Sequence, residues 1–181
     1  MFGQHRSMTS NENPGELVAA AVERCLEMAA TWHAWDGRPI ARTVDGEPNV
    51  WTPHKALRRI NDHLIDHLHE VEALLAGAEP IPDEWRGRFV TLDADWGRFT
   101  EPDYNEACQR LRRLGRWYVL RYAGLDPAEW DKPRDPAWSL RTIAEHVSRV
   151  TIYAEQVGVF ELALPPGSAI VLFVARTWLS W

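Results

Sequence analysis

Three histidines are spaced so that they can act together. His63 and His67 stand four residues apart, and His146 lies in a distant stretch of chain. At 100° per helical residue, with Ile60 as origin, His67 falls at about −20° and His63 at about −60°, beside Leu64, Val71 and Leu57 at about 40°, 20° and 60°. Both therefore lie on or next to an apolar stripe, whereas His69 faces the opposite way and His54 falls well to the side. His146 lies roughly 40–60° from the centre of the arc formed by Ile143, Val147 and Val150. Three imidazoles converging from facing helices, with a coordination position left open, make a catalytic rather than a structural metal site. The competing reading is ordinary: a histidine on an apolar face is most often a hydrogen-bonded core residue.

The two histidine-bearing stretches echo each other. Leu57-Arg58-Arg59-Ile60-Asn61-Asp62-His63-Leu64 and Leu140-Arg141-Thr142-Ile143-Ala144-Glu145-His146-Val147 share the pattern L-R-x-I-x-acid-H-aliphatic. An approximate internal two-fold axis would set His63 opposite His146, with His67 one turn along. His63-Leu64-Ile65-Asp66-His67 is also one methylene short of the HxxEH of inverted zinc proteases. Asp66 is shorter than the glutamate that chemistry requires and points away from the inferred core, so peptide hydrolysis ranks last.

The elements needed to position these residues are four amphipathic helices. Asn13-Pro14-Gly15-Glu16 opens the first, with Asn13 as N-cap, and Asp36-Gly37 stops it. The second runs from Thr52-Pro53 to Gly77, and the third from Thr100, with Asp103 three residues on, to Gly124. Ser139 caps the fourth, which continues to Gly158. Asp45-Gly46 reads as a tight turn between two short extended pieces. Residues 78–99 form a long connection whose Trp85 and Trp96 argue against a floppy loop. Three prolines break the segment joining the third and fourth helices. The expected fold is all-α, a four-helix bundle over 14–158 with long inter-helix connections. Residues 159–181 form an extra apolar C-terminal extension, which either packs on the bundle or makes a homodimer contact.

On these residues the chain resembles the DinB-like superfamily of four-helix bundles, which includes damage-inducible proteins and low-molecular-weight-thiol transferases. The resemblance spans roughly 14–158. It is carried by Thr52-Pro53-His54-Lys55-Ala56-Leu57 leading into Asp62-His63-Leu64, by the Trp96 loop, and above all by Trp138-Ser139-Leu140-Arg141 running to His146-Val147. It implies a zinc or nickel ion, with one ligand at His63 and a second at His146. The third family position falls at Val150, which cannot ligate. Either His67 replaces that ligand or the metal site has decayed.

The remaining features carry less. Arg110, Arg112, Arg113, Arg116 and Arg121 could make an anion pocket, but they spread around the third helix as solvated residues do. Asp83, Glu84, Asp93 and Asp95 could supply a general base. Trp85, Trp96 and Trp138 are placed to line a pocket. Cys25 and Cys108 fall near apolar faces and read as inert.

With 20 Lys and Arg against 26 Asp and Glu, the net charge of −6 opposes sequence-independent binding to nucleic acid. The apolar run at 169–175 is far shorter than a membrane span. The polar N-terminal stretch lacks a signal-peptide pattern, and the two separated cysteines suit a reduced, cytoplasmic setting. The first functional expectation is a metal-dependent enzyme with His63, His67 and His146 as ligands, acting on a small-molecule substrate by thiol transfer or addition, or by hydrolysis. The second is a metal-free bundle acting as a binding or interaction module.

Overall fold

The computed structural model describes residues 12–82 and 86–161. Helix α1 spans Gly15–Ala29, strands β1 and β2 span Ile40–Val44 and Glu47–Trp51, and α2 spans Pro53–Leu75. After the long connection come α3, Glu101–Ala123, and a single turn, α4, Pro127–Trp130. Helices α5, Leu140–Val147, and α6, Thr151–Val157, follow one another through a 3₁₀ turn at Ser148–Val150. The long helices pack together as a bundle around one apolar cluster that includes Val22, Ile60, Leu64, Leu111, Ile143 and Val150.

The helix starts follow their capping chemistry. Thr52 accepts from the Lys55 amide, Ser139 accepts from the Thr142 amide, and Thr100 and Asp103 form a reciprocal capping box. The Asn13 side chain accepts from the Gly15 amide at 2.9 Å, so it caps as expected although the helix begins at Gly15. Helix α1 stops at Ala29, earlier than Asp36-Gly37 suggests, and the chain tightens into a 3₁₀ turn at Trp32–Ala34. There the fully buried Trp32 donates its indole N–H to the Gly158 carbonyl at 2.7 Å.

Helices α1 and α3 run antiparallel and approach closely at small residues. A Cβ on Gly15 would stand 2.6 Å from the backbone carbonyl carbon of Tyr118 and 2.7 Å from the Val119 nitrogen. Asn13 reaches the same place, donating to the Val119 carbonyl at 2.9 Å. Tyr118 then donates to the Leu64 carbonyl at 2.7 Å and Tyr122 to the Leu140 carbonyl at 2.6 Å. Both buried phenols are thus satisfied, and they tie α3 to the two helices that carry the histidines.

The all-α expectation is corrected by a two-stranded antiparallel hairpin, with Ile40 opposite Trp51 and Val44 opposite Glu47. Its turn has Asp45 at φ 51° and Gly46 at φ 80°, the left-handed pair that a two-residue hairpin loop demands. The hairpin and the long connection are fastened to α2 by a buried lysine. Lys55 Nζ donates to Asn49 Oδ1 at 2.9 Å, the Val50 carbonyl at 2.6 Å and Thr91 Oγ1 at 3.0 Å. One turn on, Arg58 grips Asp95 at 2.7 and 3.1 Å and the Val90 carbonyl at 2.9 Å.

The expected continuous fourth helix is instead split. Ser148 Oγ donates to the Glu145 carbonyl at 2.8 Å, a back-bond that bends helices, and β-branched Val147, Val150 and Thr151 surround it. Trp85, Asp83, Glu84 and all of the extension beyond Glu161 lie outside the described residues. No described helix is long and apolar enough to cross a membrane.

Candidate metal centre

Helix α2 carries His63 and His67 on one edge of its buried face, and α5 carries His146 in its last turn. The three imidazoles meet. Ring centroids are 4.6 Å apart for His63 and His67, 5.0 Å for His63 and His146, and 4.7 Å for His67 and His146. One ligating nitrogen from each lies within 4.8 Å of the others. Atoms so spaced share a point within about 2.8 Å of each, so an approach of about 0.7 Å per ring reaches the zinc–imidazole bond length of about 2.0–2.1 Å.

Glu70 fixes one member of the set. Its Oε2 lies 2.6 Å from His67 Nδ1. An imidazole whose Nδ1–H is given to a carboxylate presents Nε2 as its free lone pair, the arrangement that orients metal-binding histidines. Trp138, at the mouth of α5, lies 5.0 Å from the His146 ring, and Tyr153 lies 5.7 Å from His63. Tyr153 is itself held between Trp51, at 5.9 Å, and the guanidinium of Arg59, at 5.7 Å.

The electrostatics favour neutral imidazole. Burial, then His67, His146 and Arg59, push the His63 pKa down to about 3. His146 is also lowered, by burial first and then by His67 and Arg149, against an opposing pull from Glu70. Neutral imidazole is the form that ligates. Three imidazole nitrogens are a donor set suited to zinc, nickel or copper, so the residues present fit a divalent metal.

The centre is open on one side. His63 and His67 line a cleft of about 700 Å³ that also reaches Asp66, Glu70 and Trp138. Asp66 is half-buried on that wall rather than turned fully away. Val150 is fully buried in the core, so the position at which the resemblance places a ligand is filled by packing.

The other sequence candidates sit elsewhere. His54 is beside the Arg98 carbonyl at 3.4 Å, and His69 is exposed. Arg110, Arg112 and Arg121 make ion pairs with Glu106, Glu23 and Glu72. Arg113 and Arg116 border surface grooves that contain none of the three histidines. Asp95 is consumed by Arg58: burial raises its pKa, but the Arg58 and Leu92 hydrogen bonds outweigh that and hold it low. Asp93 and Trp96 are exposed and away from the cleft. Cys25 and Cys108 are free and buried, and burial pushes the Cys25 thiol up to about 12. The sequence reading passes over Glu70, the carboxylate partner of His67, whose signal is the i, i+3 spacing between them.

Comparison of the chain with family models, with curated proteins and with solved structures finds no match. What stands is a mostly helical, bundle-like protein with a three-histidine cluster that could hold a metal ion.

Proposed function

We propose that this chain is a metal-dependent enzyme of the DinB-like kind, with zinc or nickel held by His63, His67 and His146. The observation that carries the reading is the convergence of three imidazoles, one of them aimed by a carboxylate, beside an open cleft that His63 and His67 line. A divalent ion there would act as a Lewis acid, lowering the pKa of a water or small thiol on its open side to yield a nucleophile near neutral pH.

The protein's own part is positional. Glu70 holds His67 in one tautomer, while Tyr118 pins the α2 backbone at Leu64 and Tyr122 pins the start of α5. Trp138 borders the cleft and packs its ring beside that of His146. Thiol transfer or addition, and hydrolysis, are the reaction classes this arrangement serves, with a small-molecule substrate in the cleft.

The test is equilibrium dialysis of tag-free protein against zinc and nickel, followed by metal analysis. One ion per chain is expected in the wild type, and none at the same concentration in His63→Ala or His146→Ala. Equal metal in all three rejects the site. The buried Val150 favours a second reading, a metal-free binding module in a reduced, cytoplasmic setting. That reading expects the melting transition to be unmoved by metal or chelator, because only a ligand of the native state raises its stability.

A further inference from the structure

The cleft beside the histidines is strongly two-sided. Its inner end is polar, with His63, His67, Asp66 and Glu70 on successive turns of α2. From there it runs past the end of α2 to the apolar side chains of Leu74, Ile81 and Pro82, while Pro136, Ala137 and Trp138 also line it, Trp138 beside His146. Leu74 is seven residues beyond His67, so the apolar stretch begins about 10 Å along the helix from the imidazoles. A cleft of about 700 Å³ is in the range that encloses most of a small organic ligand.

Charge narrows the ligand further. Among the described lining residues the cations are limited to Arg134, and it is already engaged. Its guanidinium meets Glu129 Oε2 at 3.0 Å and donates to the Glu129 and Lys132 carbonyls at 3.1 and 3.0 Å. Asp66, Glu70 and Glu79 line the same cleft. An anionic ligand body would meet carboxylates with no guanidinium free to fork onto it, and like-charge juxtaposition is costly.

We infer that the cleft takes an amphipathic small molecule. A metal-binding head would sit at His63 and His67, and an uncharged aliphatic or aryl body would lie along Leu74, Ile81 and Trp138. The head rests on the metal reading above; the body does not. An apolar body gains affinity from burial against these walls, whereas one ending in a carboxylate is rejected by Asp66, Glu70 and Glu79.

Hydroxamates test this because head and body can be varied separately. Acetohydroxamate supplies the head alone. Octanohydroxamate adds an apolar body, and the monohydroxamate of suberic acid ends a body of similar length in a carboxylate. Affinities are measured by calorimetry on zinc-loaded and on metal-stripped protein. On the loaded protein, affinity should rise roughly three- to fourfold for each methylene buried, and the carboxylate-ended probe should bind at least about tenfold more weakly than octanohydroxamate. Ile81→Ser should flatten the chain-length dependence and leave acetohydroxamate unchanged. Equal affinities across the series, or tighter binding of the carboxylate-ended probe, overturn the inference. Failure of the protein to take up zinc instead overturns the metal reading. The ranking of bodies on stripped protein then decides the inference by itself: octanohydroxamate ahead supports it, and no preference ends it.

Discussion

His67 Nδ1 and Glu70 Oε2 lie 2.6 Å apart, one turn of α2 from each other. The contact is half-buried and borders the cleft, so it is partly shielded from solvent. Glu70→Gln keeps the shape and removes the charge. Metal affinity should fall about 10–100-fold, the usual cost of removing an outer partner of a ligating histidine, with helical content by circular dichroism unchanged. Wild-type affinity in this variant would reduce Glu70 to a surface partner.

The protein stripped of metal should be acid-sensitive in a defined window. His63 is lowered in the folded state to about 3, whereas in the unfolded chain it titrates at about 6.5. Between those values the unfolded state binds the extra proton, so stability is present above about pH 6.5 and is lost as pH falls toward about 3. The lowered His146 acts with the same sign. Thermal melts of stripped wild type and His63→Gln across that range should diverge, the wild type losing more. Parallel curves would show that burial does not suppress the charge on His63.

Gly15→Ala should destabilise the bundle even though alanine is the better helix former by about 1 kcal/mol. The added methyl meets the Tyr118 carbonyl group and the Val119 nitrogen, which are main-chain atoms with nowhere to move. Overpacking of this kind costs about 1–3 kcal/mol, to be read as a lower denaturation midpoint in urea. A midpoint equal to or above wild type would mean that α1 and α3 separate easily.

Lys55→Met removes the donor shared by Asn49, Val50 and Thr91. Acceptors left unpaired in the interior cost about 1–3 kcal/mol each, partly offset by no longer burying an amine. The expected result is a net loss of stability, with amide exchange accelerated first in β1, β2 and residues 86–96. Uniform acceleration over the whole bundle would contradict the local role of the lysine.

Much of this architecture could be read from residue order. Thr52, Thr100 and Ser139 all cap the helices they announce, and Asp45-Gly46 makes the hairpin turn. The angular arithmetic that set His63 and His67 beside Leu64 holds because α2 is regular throughout. Trp138, singled out by its place before α5, does border the cleft. What could not be read is the set of contacts between charged groups and distant backbone. Lys55 and Arg58 look like solvated helix residues, and their burial follows from carbonyls contributed by strand β2 and the long connection. Glu70 is equally ordinary until His67 is known to be fixed. The split of the fourth helix coincides with a hydroxyl back-bond at Ser148, which a periodicity of apolar residues does not register.

That split has a consequence for aim. Three residues wound at 3₁₀ pitch advance a full circle, roughly 60° more than the same three in an α-helix. The tight turn at Ser148–Val150 therefore works as a vernier between the two segments. Leu140, Ile143 and Val147 of α5 and Tyr153, Ala154 and Val157 of α6 thereby both keep their phase against the hydrophobic interior, with His146 in the last turn of α5. Because Ile143 and Val147 beside it are themselves core, the imidazole is aimed by the packing of its own segment and cannot swing without disturbing the interior.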